Sequence, residues 1–161
     1  MSAQHLLFVC TGNSCRSVMA QGLMQQALTR LGRQDVQVDS AGIFAIEGMS
    51  ATRETLNVLQ AVGVDASHHR ARGLAAEQVE AADLIFVMER LHADEVVRRF
   101  PPAAHKVHLL KPYGVPPGVL MGSPGIPDPI GKPLEVYEVC FAEIREAVDR
   151  IAKSLTDVPR S

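Results

Sequence analysis

A cysteine stands six residues before an arginine in Val9-Cys10-Thr11-Gly12-Asn13-Ser14-Cys15-Arg16-Ser17, at the junction of two runs of different periodicity. His5-Leu6-Leu7-Phe8-Val9 ahead of it is a short apolar run of strand type, and Ser17 to Leu28 behind it carries apolar residues at helical spacing. The segment is therefore expected to be a strand-to-helix turn. Gly12 and Asn13 are residue types that accept the dihedrals needed to turn successive backbone N–H groups inward. Added to the free N–H groups and positive end of the following helix, they make an anion site.

The same surroundings favour a thiolate. A helix N-terminus and the Arg16 guanidinium both stabilise negative charge, which makes Cys10 a candidate nucleophile at neutral pH. Arg16 supplies a planar fork of donors able to grip two oxygens of a phosphoryl group at once. Ser17 offers a hydroxyl, either to the thiolate or as a helix cap. A C-x5-R spacing by itself arises readily by chance; the strand before, the glycine turn, the hydroxyl after and the helix behind carry the reading together.

Strand and helix patterns alternate along the rest of the chain. Strands are predicted near His5–Val9, Val36–Asp39, Leu84–Val87 and Lys106–Leu109, and helices near Ser17–Leu31, Ala51–Ala61, Ala75–Ala81, Arg90–Phe100 and Leu134–Ser154. This order predicts an α/β fold, an open parallel four-stranded sheet with helices on both faces. The site then falls beyond the carboxyl ends of the strands, where strand order reverses. Pro101-Pro102 ends one helix, and Lys111 to Pro133 reads as one long functional loop.

Within that loop, Gly122-Ser123-Pro124-Gly125-Ile126-Pro127-Asp128-Pro129-Ile130-Gly131 is dense in glycine and proline, and Pro129 holds the backbone of Asp128 extended. Alone, Asp128 reads as a turn aspartate. Beside a nucleophile it fills a missing role, because expelling a leaving group from phosphorus calls for a positioned acid.

The run from Val9 to Ser17 resembles the active-site loop of the low-molecular-weight protein-tyrosine-phosphatase family, V-C-x-G-N-x-C-R-S, at every fixed position. The similarity extends over nearly the whole chain, through Asp39-Ser40-Ala41-Gly42, Met88-Glu89 and Asp128-Pro129. It implies a single phosphatase domain over residues 1–161, with its phosphate-binding loop after the first strand. The implied chemistry is phosphomonoester hydrolysis through a phosphocysteine, with no metal or cofactor. The implied roles are nucleophile for Cys10, phosphate clamp for Arg16 and general acid, then base, for Asp128. Thr11, Gly12, Asn13, Ser14, Cys15 and Ser17 form the cradle. His69 and Ser40 join Asn13 in bracing it, although His69 also reads as a surface-turn histidine. Cys15 is the implied redox partner of Cys10, or else a small buried loop residue.

The implied partners are phosphorylated proteins, with phosphotyrosine as the leading substrate and phosphoarginine as the alternative. Ser14 stands where tyrosine-directed relatives place an aliphatic residue and arginine-directed ones threonine. Ser40 to Ala45 and the Asp-Pro-Ile-Gly turn also resemble the arginine-directed branch, whereas Ile130 replaces the aromatic residue of either. Arsenate reduction would need further cysteines between Ala81 and Arg90, and there are none. A binding protein without chemistry would have lost Cys10 or Asp128.

Composition agrees. A chain of 161 residues with 47% hydrophobic content can build one core, and a net charge of −2 argues against nucleic acid as a partner. No apolar run reaches the length of a membrane span and no signal pattern opens the chain, so a cytoplasmic enzyme is expected. Three cysteines suit a reducing compartment better than a disulfide scaffold, and Cys140 on the last helix reads as core. Cys10, Cys15, His68 and His69 include zinc-ligand types but lack zinc-site spacing.

Overall fold

The first strand is buried on both faces, which is what its unbroken apolar run demands. In this computed structural model, which describes residues 4–119 and 122–156, β1 spans His5–Cys10. Leu6, Phe8 and Cys10 point into one core layer and Leu7 and Val9 into the other. The remaining strands are β2 (Gln37–Gly42), β3 (Leu84–Val87) and β4 (Val107–Leu109). All pairings are parallel and the order is β2-β1-β3-β4. The chain leaves β1 to one side for β2 and returns on the other side for β3. Strand order thus reverses at the carboxyl end of β1, beside Cys10, where ligand sites of open α/β sheets form.

Among the described residues five α-helices cover the sheet: α1 (Arg16–Arg30), α2 (Arg53–Gln60), α3 (Ala76–Ala81), α4 (Arg90–Arg99) and α5 (Leu134–Thr156). The layer under Phe8 gathers Met19, Leu23 and Met24 of α1, Leu59 of α2 and Ile144, Val148 and Ile151 of α5. The opposite layer joins Ile85 and Val87 to Val79 of α3 and Val96 of α4. Both faces are therefore closed, and the fold is the single-domain α/β architecture expected.

Boundaries moved where packing overrode local preference. β2 runs on to Gly42 because Ser40, Ala41 and Gly42 pair with Phe8, Val9 and Cys10, although serine and glycine are poor strand formers. Pro101-Pro102 stops α4 as expected and then opens a 3₁₀ turn, Pro101–Lys106, so that β4 begins at Val107. The long loop holds no helix or strand among its described residues, and Leu120 and Met121 within it lie outside them.

Gly42 is where β2 meets the turn after β1. A Cβ there would lie 2.5 Å from the Thr11 carbonyl oxygen and 2.9 Å from the Asn13 nitrogen, both backbone atoms with no freedom to swing away. Ile43 and Phe44 then donate backbone hydrogen bonds to the Cys10 and Thr11 carbonyls, at 3.0 and 2.9 Å. Gly42→Ala is expected to destabilise the protein by about 1–3 kcal/mol, the usual range for overpacking, as read from urea unfolding midpoints. Wild-type stability in that variant would show that the two segments are free to part.

Candidate active site

Cys10 is the last residue of β1 and is buried, as is Arg16, the first residue of α1. The turn between them is shaped by Asn13, whose φ of 54° makes it the non-glycine residue with positive φ among those described. Asparagine tolerates that region better than most side chains. Its carboxamide is fully buried and fully used. Nδ2 donates to Ser17 Oγ at 2.8 Å and to Ser40 Oγ at 2.9 Å, while Oδ1 accepts the Arg72 N–H at 3.0 Å. His69 Nε2 donates to the Asn13 carbonyl at 2.8 Å. Ser40 in turn donates to Gln21 Oε1 at 2.6 Å.

This network fixes the direction of one hydroxyl. Ser17 Oγ already accepts from Asn13 and lies 3.0 Å from Cys10 Sγ, so its own proton is available to the sulfur. Ser17 therefore serves the cysteine and leaves the helix end uncapped. Cys15 occupies the cap position of α1 but its side chain does not cap the helix N–H groups, and the first turn carries no acidic residue. Nothing on the helix itself competes with an incoming anion for that end.

Arg16 is 1% exposed, and its orientation is set by one nitrogen. Nη1 donates to Glu89 Oε1 at 2.5 Å and to the Ile126 carbonyl at 2.8 Å. The opposite edge, Nε with Nη2, is left open. Nε is the buried side-chain polar atom without a partner among the described residues. Nη2 has only a 3.4 Å contact to Thr11 Oγ1 and a 3.6 Å contact to Asp128 Oδ2. Two parallel N–H bonds from one edge of a guanidinium match two oxygens of a tetrahedral anion. A buried donor without a partner is unfavourable by about 1–3 kcal/mol, and an oxyanion relieves that penalty.

Asp128 is exposed, and its Oδ1 accepts the Ile130 N–H at 3.0 Å in a local turn. Its other oxygen faces Arg16, which closes the turn that begins at Cys10. Ser14 lies on the cradle half-buried, with Oγ 3.8 Å from Cys15 Sγ and its carbonyl accepting Thr52 N–H at 3.1 Å. Cys15 is buried against Thr52 Oγ1 at 3.5 Å and the Tyr137 hydroxyl at 3.6 Å. Burial pushes the Tyr137 hydroxyl up to about 12. Burial likewise pushes the Cys140 thiol up to about 12, as suits a core residue.

Sequence reasoning gave no role to Glu89, His92 or Gln21. Glu89 had a signal, since it lies two residues past the end of β3, at the carboxyl end of the sheet. His92 lies three residues on, in the first turn of α4, fully buried; Nδ1 accepts the Glu89 N–H at 2.9 Å and Nε2 meets Thr11 Oγ1 at 2.9 Å. Desolvation first, and the nearby Arg16 charge second, lower its pKa to about 4.

The family model for low molecular weight phosphotyrosine protein phosphatases matches residues 5–159. A protein-arginine-phosphatase of Geobacillus stearothermophilus is 38% identical over 93% of this chain and 95% of that protein. The probable low molecular weight protein-tyrosine-phosphatase EpsP of Ralstonia nicotianae is 37% identical over 89% of this chain and 90% of that one. The crystal structure of a YwlE mutant from Bacillus subtilis superposes with a TM-score of 0.87 at 31% identity, covering 96% of this chain and all of that one. This chain belongs to the low molecular weight phosphotyrosine protein phosphatase family.

Arg16→Lys removes the open edge and the Nη1 anchor together. It is expected to weaken binding of inorganic phosphate or vanadate by about 10- to 100-fold, the worth of one lost charge-assisted hydrogen bond. Titration calorimetry checks this, and unchanged affinity would remove Arg16 from the anion site.

Proposed function

We propose that this chain is a cysteine-dependent protein phosphatase, with phosphotyrosine as its leading substrate and 1–161 as a single catalytic domain. The observation that carries the reading is the buried, unpartnered Nε–H of Arg16, on the same loop as a thiol that receives the Ser17 hydroxyl. The Nε and Nη2 edge and the loop N–H groups hold the phosphoryl oxygens. Cys10 Sγ attacks phosphorus, and the bond to the tyrosyl oxygen breaks as Asp128 delivers a proton to it. In the second step Asp128 takes a proton from water, the water oxygen bonds to phosphorus, and the thiolate leaves. Cys15, buried in the same loop, is the proposed partner that captures Cys10 as a disulfide after peroxide oxidation. Three unpaired cysteines support a cytoplasmic setting, and no helix among the described residues is long and apolar enough to cross a membrane.

Cys10→Ser is expected to abolish turnover while phosphate or vanadate binding persists, because the cradle and Arg16 remain. Asp128→Ala is expected to lower kcat by about 10²–10⁴ on a phenyl ester of high leaving-group pKa, and by less on a nitrophenyl ester. Steady-state kinetics on the two esters measure it. Equal losses on both would make Asp128 a structural turn residue.

A second reading, hydrolysis of phosphoarginine, is favoured by Ser14. A hydroxyl at the cradle can accept from a guanidinium N–H, whereas an aliphatic residue leaves that donor unpaired at about 1–3 kcal/mol, or roughly 5- to 150-fold in specificity. The Geobacillus relative supports it by name. Ser14→Ile is expected to lower kcat/KM on phosphoarginine peptides and to spare it on phosphotyrosine peptides. Equal losses would mean that position 14 shapes the loop and does not select the substrate.

A further inference from the structure

The His92 ring lies wholly inside the protein with both nitrogens committed, on a helix that contributes no residue to the cradle itself. Its Nδ1 faces the Glu89 backbone N–H at 2.9 Å, and an amide can only donate. Nδ1 is therefore the bare nitrogen and Nε2 carries the proton. That proton points at Thr11 Oγ1, 2.9 Å away. Among the described residues the other group directed at Thr11 Oγ1 is Arg16 Nη2, at 3.4 Å, and a guanidinium also only donates. A threonine oxygen has two lone pairs and one hydrogen. With both acceptor positions faced by obligate donors, the Thr11 hydroxyl hydrogen is turned away from His92 and Arg16, and the hydroxyl is left as a donor at the half-buried lip of the loop.

We propose that His92 is a positioning residue that holds the Thr11 hydroxyl as a hydrogen-bond donor to the phosphoryl group gripped by Arg16. Thr11 Oγ1 and Asp128 Oδ2 both lie against the same Arg16 nitrogen, at 3.4 and 3.6 Å, so the donor, the clamp and Asp128 converge there. The relay starts at a backbone N–H, passes through a neutral ring and ends at the hydroxyl. A protonated ring would lose its acceptor for the Glu89 N–H and set a second cation beside Arg16. The inference rests on the phosphatase reading above and assigns within it a hydroxyl whose task neither the motif nor the three central residues define.

The test is a double-mutant cycle on kcat/KM with an aryl phosphate, beside inhibition by vanadate. Thr11→Val removes the donor with little change of shape. His92→Asn keeps an acceptor for the Glu89 N–H but is too short to reach Thr11. Each is expected to lower kcat/KM by about 10- to 100-fold, the worth of a hydrogen bond to a charged group, and to weaken vanadate inhibition. Thr11→Ser restores the hydroxyl and recovers most of the loss. The double variant is expected to be no worse than the poorer single variant, because both cut one relay. Thr11→Val at the parent rate, or losses that multiply in the double variant, would overturn the proposal and make His92 a packing residue. If His92→Asn fails to fold, Thr11→Val against Thr11→Ser still decides whether the hydroxyl donates. A parent protein without Cys10-dependent turnover would instead fail the phosphatase reading, before the cycle is begun.

Discussion

The site is organised around one guanidinium that has been taken out of water. Arg16 is nearly inaccessible, and a buried cation is tolerated only when its donors and charge are answered. Glu89 answers the charge and the Ile126 carbonyl answers a donor, both through Nη1. Those two partners come from different parts of the chain, the start of α4 and the long loop before α5. Ile126 also donates its N–H to the Met88 carbonyl at 2.9 Å, so the loop is pinned to the end of β3 as well as to Arg16. Asp128 lies two residues further on. Removing the guanidinium from solvent thus also sets where Asp128 stands.

Asn13 does for the loop what Arg16 does for Asp128. Its positive φ turns the chain, and its carboxamide ties Ser17 on α1, Ser40 on β2 and the Arg72 backbone to one point. The two residues divide the work. Asn13 fixes the shape of the cradle and the Ser17 proton, while Arg16 fixes the fork and the Asp128 loop. Gly42 permits both, because any larger residue would push β2 off the turn.

How much of this can be read from sequence depends on how local the cause is. The cradle is a contiguous turn between two periodic runs, and its strand, helix and special dihedrals were all legible. The closing of both sheet faces followed from the alternation of elements. The end of β2 was not legible, because Ser40, Ala41 and Gly42 are strand only through pairing with Phe8, Val9 and Cys10. Glu89 and His92 were missed for a related reason. Glu89 is 73 residues from Arg16 and His92 is 81 from Thr11, so no spacing rule joins them, and what unites them is the reversal of strand order at β1. His69 was expected to brace Asn13, and it reaches the Asn13 backbone carbonyl while Arg72 takes the side-chain oxygen.

The electrostatics of the finished site follow from the same burial. Arg16 and Glu89 form a partly buried pair whose charges offset one another, and His92 beside them is held neutral by desolvation and by the Arg16 charge. An incoming phosphoryl dianion therefore meets oriented donors more than net positive charge. Donors already fixed in place need no reorganisation as charge develops on phosphorus, which is where such sites gain most over water. A second free cation would bind the anion tightly from the start, in ground state and transition state alike. It would raise affinity without lowering the barrier. A single clamped fork, a neutral histidine and a helix end without a side-chain cap suit turnover better than retention of phosphate.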